Sequence, residues 1–166
     1  GIDDMLEKAS GFLTGQTGTV WIAGQATDTS GIRTGFASGS ATGTVFWICR
    51  TSISANMQIC TQDGVTQNQV SGNSVATTER SIWMYSSSGS SYELHFNGVT
   101  QSKSVGSGSD DGMWLSDAVG LGNVTIGVVK LGTDLQHFKG YIAEIRVYDS
   151  DLSAADKTAI DNELLA

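Results

Sequence analysis

Two stretches in the second half of the chain alternate with a period of two. Tyr92, Leu94 and Phe96 alternate with Glu93, His95 and Asn97, and Tyr141, Ala143, Ile145 and Val147 alternate with Ile142, Glu144, Arg146 and Tyr148. A period of two sends one set of side chains to one face of an extended strand, so each stretch reads as a strand with one buried face. The first stretch runs into Asn97-Gly98, the dipeptide best suited to the two positive φ angles of a type I′ turn. Residues 91–97 are therefore expected to pair antiparallel with 99–105. Further short strand candidates lie at 18–24, 42–51, 56–63, 81–86 and 123–129, punctuated by Gly, Ser and Asn, which is the pattern of an all-β sandwich. Its core is expected to contain Val20, Ile22, Leu94, Phe96, Ile126, Ile145 and Val147. No internal repeat of 20–50 residues is present.

The two ends read differently. Ile2, Met5, Leu6 and Ala9 recur at the spacing of one helix face, with Asp3 and Asp4 suited to a helix start and Gly11 to its stop. A helix this short must bury that face on the domain or on a partner subunit. Near the other end, Ser153 followed three residues later by Asp156 is a capping-box pattern. It predicts a helix over 154–165, with Ile160 and Leu164 on one face.

The segment His137-Phe138-Lys139-Gly140-Tyr141-Ile142-Ala143-Glu144-Ile145-Arg146-Val147-Tyr148-Asp149, with Leu152-Ser153-Ala154-Ala155 after it, resembles the late strand and short helix of laminin G-like domains. These belong to the concanavalin A-like lectin and glucanase jelly rolls. Tyr92-Glu93-Leu94-His95-Phe96-Asn97-Gly98-Val99 is similar to that family's hairpin, and Asn123-Val124-Thr125-Ile126-Gly127 to another of its strands. The resemblance covers roughly residues 80–155. Before that only Thr19–Ile22 and Thr44–Ile48 suggest sandwich strands, and Glu79–Met84 departs from the family's pattern. The resemblance implies an all-β, two-sheet antiparallel jelly-roll sandwich. With the end segments it gives a short helix at each terminus, residues 1–12 forming the N-terminal helical segment and 13–166 the laminin G-like domain.

Charge and motifs narrow the function. The formal charge is −8 with 9 basic residues. They are scattered, which argues against nucleic acid or an anionic membrane as partner. No apolar run approaches the roughly 18 residues of a membrane span, and no basic segment followed by an apolar stretch opens the chain. Glycoside hydrolysis needs two carboxylates about 5–10 Å apart, and the paired-acid strand pattern of the related glucanases is missing. No nucleophile-elbow, phosphate-loop, zincin or dinucleotide motif occurs. His95 alternates with the apolar face of its strand and is expected in solvent, as is His137. Cys49 and Cys60 lack metal-site spacing. In a hairpin of 44–51 with 56–63 they come close to opposite each other. In that register they can form a disulfide; one residue away they fall on opposite faces and stay free thiols.

The segment 102–122 breaks the strand rhythm. It gathers Asp110, Asp111 and Asp117 around Met113 and Trp114, with Gly106, Gly108 and Gly112 nearby. Long loops held by a rigid scaffold carry binding residues disproportionately. This loop is read as the rim of a glycan site, with Trp114 as an apolar platform for a sugar face, Met113 beside it, and the three Asp as hydroxyl acceptors or as calcium ligands. The competing arrangement tucks Trp114 and Leu115 into the end of the sandwich. The chain is accordingly read as a non-catalytic carbohydrate-binding or cell-surface recognition module of a larger extracellular or virion protein. Its expected partner is a glycan or cell-surface polysaccharide. The alternative is a structural or assembly domain, a phage capsid decoration or tail fibre or an adhesin, acting through protein contacts.

Overall fold

The computed structural model describes residues 6–9, 14–27, 31–51, 56–75, 78–118 and 120–166. In chain order the strands are β1 (Leu6–Ala9), β2 (Gly18–Ala26), β3 (Arg33–Gly39), β4 (Val45–Thr51), β5 (Asn56–Asp63), β6 (Gln67–Ser74), β7 (Ser81–Ser87), β8 (Tyr92–Phe96), β9 (Val99–Thr100), β10 (Ser104–Ser107), β11 (Asn123–Ile126), β12 (Val129–Leu131), β13 (Thr133–Leu135) and β14 (Gly140–Tyr148). One helix, α1 (Ala154–Leu165), follows. Seven strands form one sheet in the order β1-β11-β3-β4-β5-β6-β10; five form the other in the order β14-β2-β7-β8-β9; β12 and β13 make a separate hairpin. Every pairing within these sheets is antiparallel.

The two sheets enclose one main core. Val20, Ile22, Trp83, Tyr85, Tyr92 and Leu94 of the five-stranded sheet pack with Phe36, Trp47, Cys49, Met57, Ile59, Val70 and Val124 of the seven-stranded sheet. Phe96, Ile126, Ile145 and Val147 line its margin, half-buried. Every residue named for the core is thus in it or against it, but Tyr141 and Ala143, on the same period-two face as Ile145, are exposed, because the register shifts between Ile142 and Glu144 and Ile142 packs inward instead. Two smaller clusters cover the outer faces. The helix α1 lays Leu164 and Ile160 on Trp21, Ala23, Ile82 and Met84 of the five-stranded sheet. The β12–β13 hairpin covers Ala37, Phe46, Ile48 and Cys60 of the seven-stranded sheet with Val129 and Leu131.

The local signals at the C-terminal end hold. Ser153 Oγ accepts from the Asp156 N–H at 3.2 Å and donates to the Asp156 carboxylate at 2.6 Å, which fixes the start of α1. At the hairpin, Asn97 and Gly98 both have positive φ, 48° and 74°, and Phe96 faces Val99 across the turn.

Several expectations need correction. Leu6–Ala9 is a strand paired with β11, not part of a helix; Ile2 and Met5 lie outside the described residues. An edge strand of the larger sheet offered backbone partners, and pairing with it overrode a helical pattern too short to hold by itself. The partner of β8 is only two residues long, because the chain then leaves for the other sheet and Ser104–Ser107 pairs with β6. His95 is buried at 8% exposure rather than solvated. It lies beneath α1, with Nδ1 3.3 Å from Asp161 and Nε2 2.8 Å from Glu93. His137 is exposed, as expected. Of the two cysteine arrangements, the register pairs Ile48 with Cys60 and Cys49 with Ile59. The thiols therefore point to opposite faces, and both are free and buried.

Candidate functional site

The acidic loop is a structural plug. Trp114 is 0% exposed, and it meets Trp47 edge-on with ring centroids 4.9 Å apart. It is therefore not a platform open to a sugar. The reason lies in the donors at this end of the core. Trp47 Nε1 and the Tyr92 hydroxyl both donate to the Met113 carbonyl, each at 2.9 Å. Without the loop these buried donors have no acceptor, a loss that outweighs keeping Trp114 outside. Gly18 makes room, since a Cβ there falls 2.0 Å from the Trp114 ring.

The three loop carboxylates serve the same closure. Asp110 accepts from the Tyr92 N–H at 2.7 Å and from Lys103 Nζ at 2.6 Å. Asp111 accepts from Asn68 Nδ2 at 2.5 Å and from the Met113 N–H at 3.1 Å. Asp117 accepts from the Trp114 N–H at 2.8 Å. Among the described residues, no group of three or more His, Cys, Asp or Glu side chains is placed to hold a metal ion.

A different part of the molecule, mostly buried and reaching solvent at Arg50 and Ser104, follows from register. Thr34 of β3, Arg50 of β4, Gln58 of β5, Ser71 of β6 and Ser104 of β10 are directly opposite one another in successive pairings. They form one polar row across the outer face of the seven-stranded sheet. The neighbouring row is Ala37, Ile48, Cys60 and Gln69. The β12–β13 hairpin covers the apolar part of this face and leaves the Arg50 row at its border, where Gln136 follows β13.

Arg50 is the centre of this surface. Its Nε donates to Gln58 Oε1 at 3.2 Å, and its Nη1 donates to Gln136 Oε1 at 3.2 Å. Gln58 Nε2 in turn donates to Ser71 Oγ at 3.0 Å. The guanidinium is half-buried and aimed by neutral amides; among the described side chains no carboxylate pairs with it. Other cations differ. Lys103, Arg146 and Lys157 each hold a carboxylate within 2.9 Å, and Arg80 is exposed. Cys60 lies beside Arg50 on this face. Burial pushes its thiol up to about 11, against the pull of the guanidinium, so it stays neutral and unreactive. Thr34, Gln58 and Ser71 of the row are buried, so what it offers outward is the half-buried Arg50 fork, held by Gln58 from below and by the half-buried Gln136 beside it, which suits a carboxylate.

No family model and no curated protein matches the chain. Solved structures do. The carbohydrate-binding module CBM40 of the Ruminococcus gnavus IT-sialidase, bound to α2,3 sialyllactose, superposes with a TM-score of 0.76 at 19% identity, over 89% of this chain and 84% of that one. A NanB sialidase from Streptococcus pneumoniae matches with a TM-score of 0.76 at 16% identity, over 88% of this chain and 24% of that one. A pentraxin from Limulus polyphemus matches with a TM-score of 0.61 at 13% identity, over 88% of this chain and 70% of that one. The fold is a two-sheet antiparallel jelly-roll sandwich. At these identities the likeness speaks for the fold alone.

On this jelly roll, sequence reading had no means to assemble the row, because its members come from five strands and a loop. One signal was present. Phe46, Ile48 and Arg50 share a strand face, and an arginine inside an otherwise apolar strand calls for a reason.

Proposed function

We propose that this chain is a non-catalytic carbohydrate-binding module, that its ligand carries a carboxylate, and that sialylated glycans are the class it takes. The observation that carries the reading is the Arg50 guanidinium, held half-buried by Gln58 and Gln136 with no carboxylate partner among the described side chains. A buried or half-buried charge is normally compensated within the protein; one that is aimed but uncompensated suits an anionic ligand. The likeness to a module bound to sialyllactose supports the same class. A single guanidinium among amides and hydroxyls gives binding groups and no acid–base pair, which fits recognition without catalysis. Such a module works where glycans are displayed, outside the cell or on a virion, as part of a larger protein.

The test is titration calorimetry with α2,3-sialyllactose, α2,6-sialyllactose and lactose, run with and without calcium. The sialylated sugars are expected to bind and lactose is not, and Arg50→Ala abolishes the difference. Equal binding of lactose and sialyllactose, or an R50A variant that binds as tightly as the parent, sinks the reading. A dependence on calcium supports Asp110, Asp111 and Asp117 as its ligands.

A further inference from the structure

Gln136 is one of two non-glycine residues with positive φ among the described residues, at 53°. The other is the turn residue Asn97, which is suited to that region. A glutamine gains nothing from the left-handed conformation, so something must hold it there. Three contacts do. The Thr34 N–H donates to the Gln136 carbonyl at 3.1 Å. The side-chain Oε1 accepts from Arg50 Nη1 at 3.2 Å and from Thr34 Oγ1 at 3.4 Å. All three tie Gln136 to the Arg50 row.

We infer that the Gln136 carboxamide is a built-in competitor, occupying on Arg50 the position a ligand carboxylate oxygen takes, so that binding requires its displacement. The inference rests on the reading of Arg50 as a carboxylate receptor. An amide oxygen is a neutral acceptor in nearly the same geometry as a carboxylate oxygen. It satisfies the guanidinium in the empty protein yet gives way to an ion, because a carboxylate adds the attraction of a full negative charge and can accept two parallel N–H bonds, where the amide oxygen brings only a dipole. The arrangement also filters ligands. A neutral hydroxyl offers Arg50 no more than the amide already does, whereas an anion does. Gln58 is different in kind: it is 5% exposed and anchored to Ser71, so it aims Arg50 and does not leave.

The experiment compares the parent, Gln136→Gly and Arg50→Ala. Glycine keeps the positive φ at no steric cost while deleting the carboxamide. The first probe is acetate, followed by the NMR signal of the Arg50 Nε–Hε group. The second is α2,3-sialyllactose, followed by calorimetry. Q136G is expected to shift the Arg50 signal in the free protein, to saturate with acetate at several-fold lower concentration than the parent, and to bind sialyllactose several-fold tighter. An Arg50 signal unmoved by the substitution, or acetate binding that is unchanged or weakened, overturns the inference whatever the sugar does. If acetate binds tighter to Q136G while sialyllactose binds to neither protein, the competitor stands and the glycan reading falls. Tighter acetate with weaker sialyllactose makes Gln136 a glycan contact and overturns the filter.

Discussion

Trp114 and Asp149 are joined by one hydrogen bond, from the indole N–H to the Asp149 carboxylate at 3.2 Å, and this bond ties three segments together. The other oxygen of Asp149 accepts from the Thr14 and Gly15 N–H groups, both at 2.7 Å. The loop 108–118, the entry to β2 and the exit of β14 therefore close on one carboxylate at one end of the sandwich.

The plug has a direct consequence for stability. Trp114→Ala empties the space against Trp47 and is expected to cost about 3–5 kcal/mol, as truncation of buried aromatics does. Gly18→Ala is expected to unfold or severely destabilise the domain, since its new Cβ falls 2.0 Å from the Trp114 ring. Denaturant unfolding of both variants checks this. A Trp114→Ala protein that melts with the parent removes the plug.

Asp149 also sets a pH dependence. Partial burial opposes its ionisation, but the N–H groups of Gly15, Thr14 and Trp114 outweigh this and hold the carboxyl below the ordinary range. A depressed folded pKa gives stability that is complete above the unfolded value, about 3.9, and is lost as pH falls through the folded value. Glu93 acts in the same direction: burial raises it, and the hydrogen bonds from Lys157 and His95 more than reverse that. Stability is expected to fall below about pH 4, and Asp149→Asn is expected to flatten part of that fall while lowering the plateau at neutral pH. Melting temperatures taken across the acid range, parent against variant, decide it.

The fold was legible where side chains announce their face. Leu94 and Phe96, Ile145 and Val147, the Asn97-Gly98 turn and the Ser153 cap all read directly from sequence. Strands β3 and β6 did not. Arg33–Gly39 and Gln67–Ser74 are mostly small or polar, with one large apolar residue each, Phe36 and Val70, so no alternation shows. They are strands because their neighbours supply partners, which is tertiary context overriding local preference. Trp114 misled for a related reason. An aromatic amid acids and glycines looks exposed until the unsatisfied donors of Trp47 and Tyr92, far away in sequence, are brought beneath it. The segments resembling laminin G-like domains carry turn and strand chemistry, which speaks for the fold and not for a particular family.

Register makes a prediction about the cysteines. Cys49 and Cys60 point to opposite faces of the same sheet, and burial drives the Cys49 thiol well above its ordinary value. Neither is expected to react with a thiol reagent in the folded protein, and both react on unfolding. Mass spectrometry after alkylation, with and without denaturant, reads this out; a native disulfide leaves the denatured protein unalkylated and two hydrogen atoms lighter, and contradicts the register.

The docking of α1 depends on a shared acid. Asp161 accepts from Trp21 Nε1 at 2.8 Å and lies 3.3 Å from His95 Nδ1, and it is 4% exposed. Asp161→Ala leaves the buried indole N–H without a partner, a loss of about 1–3 kcal/mol. Hydrogen exchange is expected to speed up in α1 ahead of the strands, because the helix then keeps its Lys157 and Glu163 ion pairs and its Leu164 contact but loses its buried polar anchor. Uniform acceleration across both sheets places the role of Asp161 in the core instead.

The last prediction separates charge from geometry at Arg50. Arg50→Lys keeps the positive charge but replaces a planar fork with a single rotating point. The fork matters because Arg50 uses Nε on Gln58 and Nη1 on Gln136 at once. That division leaves one edge of the guanidinium aimed by Gln58 while the other is exchanged between amide and ligand. An ammonium cannot keep the first bond and present two parallel donors to a carboxylate. If recognition is bidentate, R50K loses about tenfold or more in sialyllactose affinity, the factor for each 1.4 kcal/mol, and R50A loses little beyond that. The melting temperature stays near the parent's in R50K, since the residue is half-buried and its neighbours are neutral. If recognition is only electrostatic, R50K binds within a factor of two or three of the parent, and added salt weakens both to the same degree. Calorimetry at two salt concentrations distinguishes the cases. An R50K protein that binds like the parent at low and high salt removes the guanidinium fork from the mechanism.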